Sequence, residues 1–189
     1  MNNRSKLDLV VLFSGGADST LLLKMAQTMG KTPIALMIDY GQLHIKELEV
    51  GKKFLEKYKI ESMTVKIDGY NVNSGLTGSG EKGKYEGVHS HNVPARNSIF
   101  LSIAAGVAES RNIQEIWYGA DWDDYENLFP DCYQSYIGRF NSLLEIAGAT
   151  PIKVYAPLLG YTKEMVLTML SNNYGITENV FFSGYGEFS

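Results

Sequence analysis

One cysteine, Cys132, stands among 189 residues. A lone thiol forms no internal disulfide, and it leaves no partner for a cysteine-built zinc cluster. It fits a reducing compartment, so a cytoplasmic location is expected. Basic residues are in the minority, with 17 Lys and Arg against 21 Asp and Glu and a net charge of −4. That balance argues against wholesale nucleic-acid binding through a basic face, so no direct nucleic-acid partner is expected, although a local basic cleft stays open. No apolar run approaches the roughly 18–20 residues of a membrane helix. The opening stretch, MNNRSKLDLVVLF, is too briefly apolar for a signal peptide. No repeat and no linker rich enough to divide the chain is visible, so residues 1–189 are expected to form one domain. Hydrophobic residues at 44% and charged residues at 20% supply the core and surface of a globular protein of this size.

The apolar residues fall into two alternating patterns. A short continuous run at 7–13 reads as a strand buried on both faces, and 32–39, 62–67, 114–120 and 152–158 read as four further strands. Longer stretches at 18–30, 43–59, 96–112, 132–148 and 162–175 carry helical spacing. Gly30 and Gly175 stand where helix stops belong. The expected fold is therefore α/β: a Rossmann-like, doubly wound, mainly parallel five-stranded sheet with helices on both faces. Residues 68–92 interrupt the alternation with a Gly-, Asn- and Ser-rich stretch, and 69–92 reads as a lid loop over a substrate. Its Gly75, Gly78 and Gly80 neither follow a strand nor open a helix, which rejects a dinucleotide fingerprint. His89 and His91 within it are too few for a metal site.

The strongest local signal is SGGADST, Ser14 to Thr20, directly after the first strand. In parallel sheets, ligands sit at the carboxyl ends of strands. A glycine pair there lets a ligand approach the main chain closely. Amide groups of the turn and of the following helix start, with the helix dipole, then favour an anion. The hydroxyls of Ser14, Ser19 and Thr20 add donors. The spacing is not that of a Walker-type loop, and no lysine adjoins it. The plainer reading is a tight turn with Asp18 or Ser19 capping a helix.

The S-G-G-x-D-S pattern resembles the pyrophosphate loop of the ATP pyrophosphatase superfamily. Three further stretches narrow the likeness: DYGQLH (39–44), VPARN (93–97) and FPDC (129–132). Together, from about Leu9 to Tyr185, they resemble the 7-cyano-7-deazaguanine synthase (QueC-type) family of queuosine biosynthesis. The resemblance implies an adenine nucleotide alpha hydrolase-like fold and an ATP-dependent carbon–nitrogen ligase. Such an enzyme adenylates 7-carboxy-7-deazaguanine and converts it with ammonia, through the amide, to the nitrile. It implies ATP and magnesium as cofactors, small-molecule substrates and a homodimer.

Carried onto this chain, the family's ATP-binding positions are Leu12, Phe13, Ser14, Gly15, Gly16, Asp18, Ser19, Thr20, Asp39, Tyr40, Gln42, Asn97, Gly119 and Lys163. Its substrate-binding positions are His44, Arg96, Asp124, Tyr125, Phe129, Pro130 and Asp131. The catalytic group is implied to be Asp18, Arg96, Asp131 and Lys163, with Asp18 the carboxylate nearest magnesium. Each has a plainer alternative. His44 and Lys163 read equally as surface helix residues, Arg96 and Asn97 as decoration of a helix start, and Asp131 as an N-cap. Cys132 is expected to pack or line the pocket and not to act as a nucleophile.

The chain departs from the family in four places. Leu43 replaces the usual arginine, and Ala95 the usual glycine. The loop 119–130 is one residue longer, so Asp124 and not Asp121 takes the acidic position. Gly184 stands where the first of four zinc-binding cysteines is expected, so no structural zinc is expected, and Phe181, Phe182, Tyr185 and Phe188 would hold the last turn instead. A relative that stops at the amide, one that passes the activated acid to another amine, and an inactive nucleotide-binding module stay open as alternatives.

Overall fold

Val10 and Val11 are chain neighbours, both wholly buried, and they face opposite sides of one sheet. That alternation is the strand period of two, and it organises the whole interior. The computed structural model describes residues 6–41, 45–68, 95–126, 129–148, 150–177 and 181. The lid expected at 69–92, with Gly75, Gly78, Gly80, His89 and His91, lies outside the described residues. So do Gln42, Leu43, His44, Gly184 and the aromatic residues beyond Phe181.

Five strands, β1 (Leu9–Leu12), β2 (Pro33–Asp39), β3 (Glu61–Lys66), β4 (Glu115–Trp117) and β5 (Lys153–Tyr155), form one parallel sheet in the order β3-β2-β1-β4-β5. Helices α1 (Ala17–Thr28), α2 (Ile45–Lys57), α3 (Arg96–Ser110), α4 (Trp122–Glu126), α5 (Gln134–Ala147) and α6 (Lys163–Tyr174) connect and cover them. Leu9, Val11, Phe13, Ala35, Met37 and Trp117 point to the layer of α1, α2 and α6. Val10, Ile34, Leu36, Ile38, Ile116 and Val154 point to the layer of α3 and α5. The sheet is thus a two-faced core, as the continuous apolar runs require.

Strand β1 is shorter than the apolar run around it, yet backbone pairing continues past both of its ends. The Asp8 amide donates to Thr32 O at 3.2 Å and the Asp8 carboxylate accepts the Thr32 amide at 2.9 Å, while Phe13 donates to Leu36 O at 2.8 Å. Strand β3 is an edge strand with mostly exposed side chains, which explains its alternating polar sequence. Helix α6 starts where sequence chemistry allows: the Thr162 hydroxyl accepts the Met165 amide, an N-cap. It ends at Gly175, whose φ of 63° favours glycine. Two elements went unread: the short helix α4 and a 3-10 turn over Pro130–Cys132. Both are too brief to show a periodic apolar pattern.

Candidate active site

Strand β1 lies at the centre of the sheet, with β2 on one side and β4 on the other. The chain leaves β1 through α1 towards β2, and returns from α3 to β4 on the far side. The loops after β1 and β4 therefore diverge at the sheet's carboxyl edge and leave a crevice, the usual ligand position in such folds. Ser14 to Ser19 and Gly119 to Asp124 are those two loops.

The first loop holds itself open with its own hydroxyls. Gly15 adopts φ 92°, a region that favours glycine. The Gly16 amide donates to Ser14 Oγ at 3.2 Å and the Ser14 amide to Ser19 Oγ at 3.3 Å, while Ser19 Oγ donates to Gly16 O at 3.1 Å. The N-cap of α1 is Gly16, which has no side chain to fill that place. Asp18 and Ser19 therefore do not cap the helix. Asp18 sits within its first turn and is directed elsewhere, and a helix start leaves its first amides without intrahelical partners. The second loop presses against the first. A Cβ on Gly119 would stand 3.0 Å from Asp18 Cβ and 3.4 Å from the Ser19 amide nitrogen. A side chain there would force the two loops apart by a few tenths of an ångström.

Lys163, the first residue of α6, reaches into the crevice. Its Nζ lies 2.5 Å from Asp18 Oδ2 and 3.2 Å from Asp121 Oδ2. Burial works against the ammonium, but the two carboxylates outweigh it and hold the Lys163 pKa above the ordinary lysine value. Lys163 is thus a half-buried lysine paired with two carboxylates and not a solvated surface lysine. Asp18 Oδ1 is buried with no hydrogen-bond partner, an orphaned acceptor that a ligand cation or donor would satisfy. Asp124, one turn beyond Asp121, exchanges backbone contacts with it: each carboxylate accepts the other's amide, at 3.3 and 3.0 Å. Burial first, then the Asp121 charge, pushes the Asp124 carboxyl up to about 6.

A second group gathers under α3 and the 3-10 turn. Arg96 opens α3, half-buried, after Ala95 in the left-handed region at φ 55°. Its charge reaches the Cys132 thiol, which puts it beside the Phe129–Cys132 turn. Burial, reinforced by Asp124 and Asp131, pushes that thiol well up, which disfavours the thiolate. Asp131 is half-buried, its backbone carbonyl accepts the Tyr118 hydroxyl at 2.9 Å, and it does not cap α5, whose N-cap is Tyr133. Asn97 follows Arg96 in the first turn of α3. At the end of β2, the Asp39 carboxylate accepts the Gly41 amide at 3.2 Å, and Tyr40 packs on Phe100 with ring centroids 5.2 Å apart.

The expected residues therefore separate into kinds. Ser14, Gly15, Gly16, Asp18, Ser19, Gly119 and Lys163 converge on the crevice. Leu12 and Phe13 end the central strand, and the Phe13 ring packs in the core on Phe54 at 5.9 Å, so only its main chain is available to a ligand. Thr20 is wholly buried, behind the loop. The side chain of Tyr125 lies outside the description. Two residues were not anticipated as functional. Asp121 is 2% exposed and contacts Lys163, and Asp123 accepts the Lys163 amide at 2.7 Å. The signal available was position: an acid immediately after the Gly119-Ala120 strand end, on the same sheet edge as Ser14.

The family model described as "Queuosine biosynthesis protein QueC" matches residues 8–187. A 7-cyano-7-deazaguanine synthase from Psychromonas ingrahamii is 36% identical over 166 residues, 84% of this chain and 75% of that protein. One from Myxococcus xanthus is 35% identical over 189 aligned residues, 91% of this chain and 82% of that protein. Among solved structures, the U34-tRNA thiolase NcsA of Methanococcus maripaludis superposes with a TM-score of 0.59 at 17% identity, covering 89% of this chain and 57% of that one. The NH3-dependent NAD synthetase of Campylobacter jejuni gives 0.55 at 14% identity, covering 94% and 68%. At such identities these two show a shared fold and no more.

Proposed function

The chain belongs to the QueC family, and on that footing we propose that it is a 7-cyano-7-deazaguanine synthase that forms AMP and pyrophosphate. The observation that carries the reading is the crevice between β1 and β4, where a self-braced Ser-Gly-Gly loop, a helix start and a half-buried, carboxylate-paired lysine come together.

A carboxylate is a poor acyl donor because its oxygen is a bad leaving group. Attack of the 7-carboxylate on the α-phosphate of ATP breaks the α–β bond, releases pyrophosphate and turns that oxygen into part of AMP. Ammonia then displaces AMP to give the amide. A second adenylation, on the amide oxygen, lets a second AMP depart and leaves the nitrile. The chemistry demands positioning and charge neutralisation more than a protein nucleophile. The Ser14–Gly16 loop and the first amides of α1 would receive the departing phosphates. Lys163 supplies a fixed positive charge, held protonated by its carboxylate neighbours. Arg96 offers a planar fork suited to the acid's carboxylate or to phosphate. Asp124, Phe129, Pro130 and Asp131 would line the heterocycle's side, with Asp39, Tyr40 and Asn97 towards the nucleotide.

Magnesium binds through few protein oxygens and keeps water and phosphate ligands. Among the described residues no group of three or more His, Cys, Asp or Glu forms a metal cage. The orphaned Asp18 Oδ1 supplies one hard oxygen, which suits a magnesium ion carried in with the nucleotide. When bound, it neutralises phosphate charge.

Purified protein supplied with 7-carboxy-7-deazaguanine, ATP, magnesium and ammonium should yield the nitrile by mass spectrometry. Accumulation of the amide alone would place the chain among relatives that stop there, and absence of AMP would identify a binding module.

A further inference from the structure

We infer that Asp121 is the positioning residue for Lys163, fixing the ammonium at the crevice between β1 and β4. The inference rests on the reading that Lys163 meets the nucleotide phosphates there.

The geometry is specific. Lys163 Nζ has three protons. Asp18 Oδ2 accepts one of them at 2.5 Å, and Asp121 Oδ2 forms an ion pair with the ammonium at 3.2 Å. Asp121 is buried to 2% exposure, and a carboxylate so placed is costly unless paired. Lys163 is its cationic partner. The remaining Asp121 oxygen, Oδ1, accepts the Asp124 amide at 3.0 Å, which locks the carboxylate's own orientation.

The same loop grips the start of α6 twice more. Asp123 Oδ2 accepts the Lys163 amide at 2.7 Å, and the Trp122 amide donates to Tyr161 O at 3.0 Å. Three consecutive residues therefore fix the backbone and the side-chain tip of one lysine.

A free lysine side chain, with four rotatable bonds, carries substantial rotamer entropy. Holding it beforehand removes that cost from ligand binding. Asp18 cannot do this alone, because it is the carboxylate expected to turn towards a nucleotide-borne cation. Asp121, buried and doubly held, stays. Its charge is balanced by Lys163 with or without ligand, so its repulsion of phosphate is small beside its orienting effect.

The test is a double-mutant cycle on ATP·magnesium affinity, measured by calorimetry without a second substrate. Lys163→Met should weaken binding on the order of tenfold or more, as expected for a lost charge-assisted contact. Asp121→Asn keeps an oxygen for the Asp124 amide, and should weaken binding about fivefold in the otherwise native chain but leave the Lys163→Met variant unchanged. Should the asparagine variant not fold, Asp121→Ser retains a cap oxygen and replaces it. A residue that merely supports the loop would lower the melting temperature and weaken binding by the same factor in both backgrounds, which would overturn the inference. Unchanged affinity in Asp121→Asn would do so too. Unchanged affinity in Lys163→Met would instead overturn the reading of the crevice beneath it.

Discussion

Lys163 Nζ lies 2.5 Å from Asp18 Oδ2, joining residues 145 positions apart in the chain. The contact ties the first turn of α6 to the first turn of α1, directly beneath the Ser-Gly-Gly loop. Two helix starts and a strand end thus meet at one charged point. Asp18→Ala should abolish AMP formation, by on the order of 100-fold or more, with the far-ultraviolet dichroism of the native fold. Rapid-quench measurement of AMP checks it, and native rates in this variant would remove Asp18 from the site.

Gly119→Ala places a methyl carbon 3.0 Å from Asp18 Cβ and 3.4 Å from the Ser19 amide. The obstacle is backbone and a short side chain, so the loop itself must shift. The variant should lose activity more than stability: about tenfold or more in kcat/KM, against ~1–3 kcal/mol in unfolding free energy. Steady-state kinetics beside denaturant melts separate the two, and an alanine variant with native kcat/KM would show the approach to be unimportant.

Asp124 is pushed from the ordinary 3.8 up to about 6, by burial and by Asp121. Between those values the folded chain keeps a proton that the unfolded chain has lost. This group's contribution to stability is therefore full below about 3.8 and falls away as pH rises towards about 6. Asp124→Asn should flatten that part of the pH–stability curve and raise the melting temperature at neutral pH by a few degrees. Thermal melts from pH 3.5 to 8 check it, and parallel curves for the two proteins would contradict it.

The order and type of the long elements were legible because most bury a continuous or helically spaced apolar face and the two patterns alternate; the edge strand β3 is the exception, its side chains mostly exposed. The Ser-Gly-Gly loop was legible because few other reasons place two glycines after a buried strand. Ala95 shows a subtler agreement. It stands where the family has glycine, and the backbone there is left-handed at φ 55°, so the family's preference has a steric cause. Asp121 was passed over because its role depends on a lysine 42 residues later in the sequence. Alignment of the acidic loop pointed to Asp124, while the fold brings Asp121 to the ammonium. Thr20 is wholly buried and its hydroxyl has no hydrogen-bond partner, a distinction from Ser19 that sequence does not carry, because hydroxyls at the start of a helix look alike until α1 is packed.

The central claim is that this crevice transfers AMP to the substrate's oxygen. It is tested most directly with 7-carboxy-7-deazaguanine labelled with oxygen-18 in both carboxylate positions, incubated with ATP, magnesium, ammonium and the protein. The account predicts two AMP molecules per nitrile, each carrying one labelled oxygen, and unlabelled pyrophosphate. Label appearing in inorganic phosphate, with ADP as the nucleotide product, would contradict it.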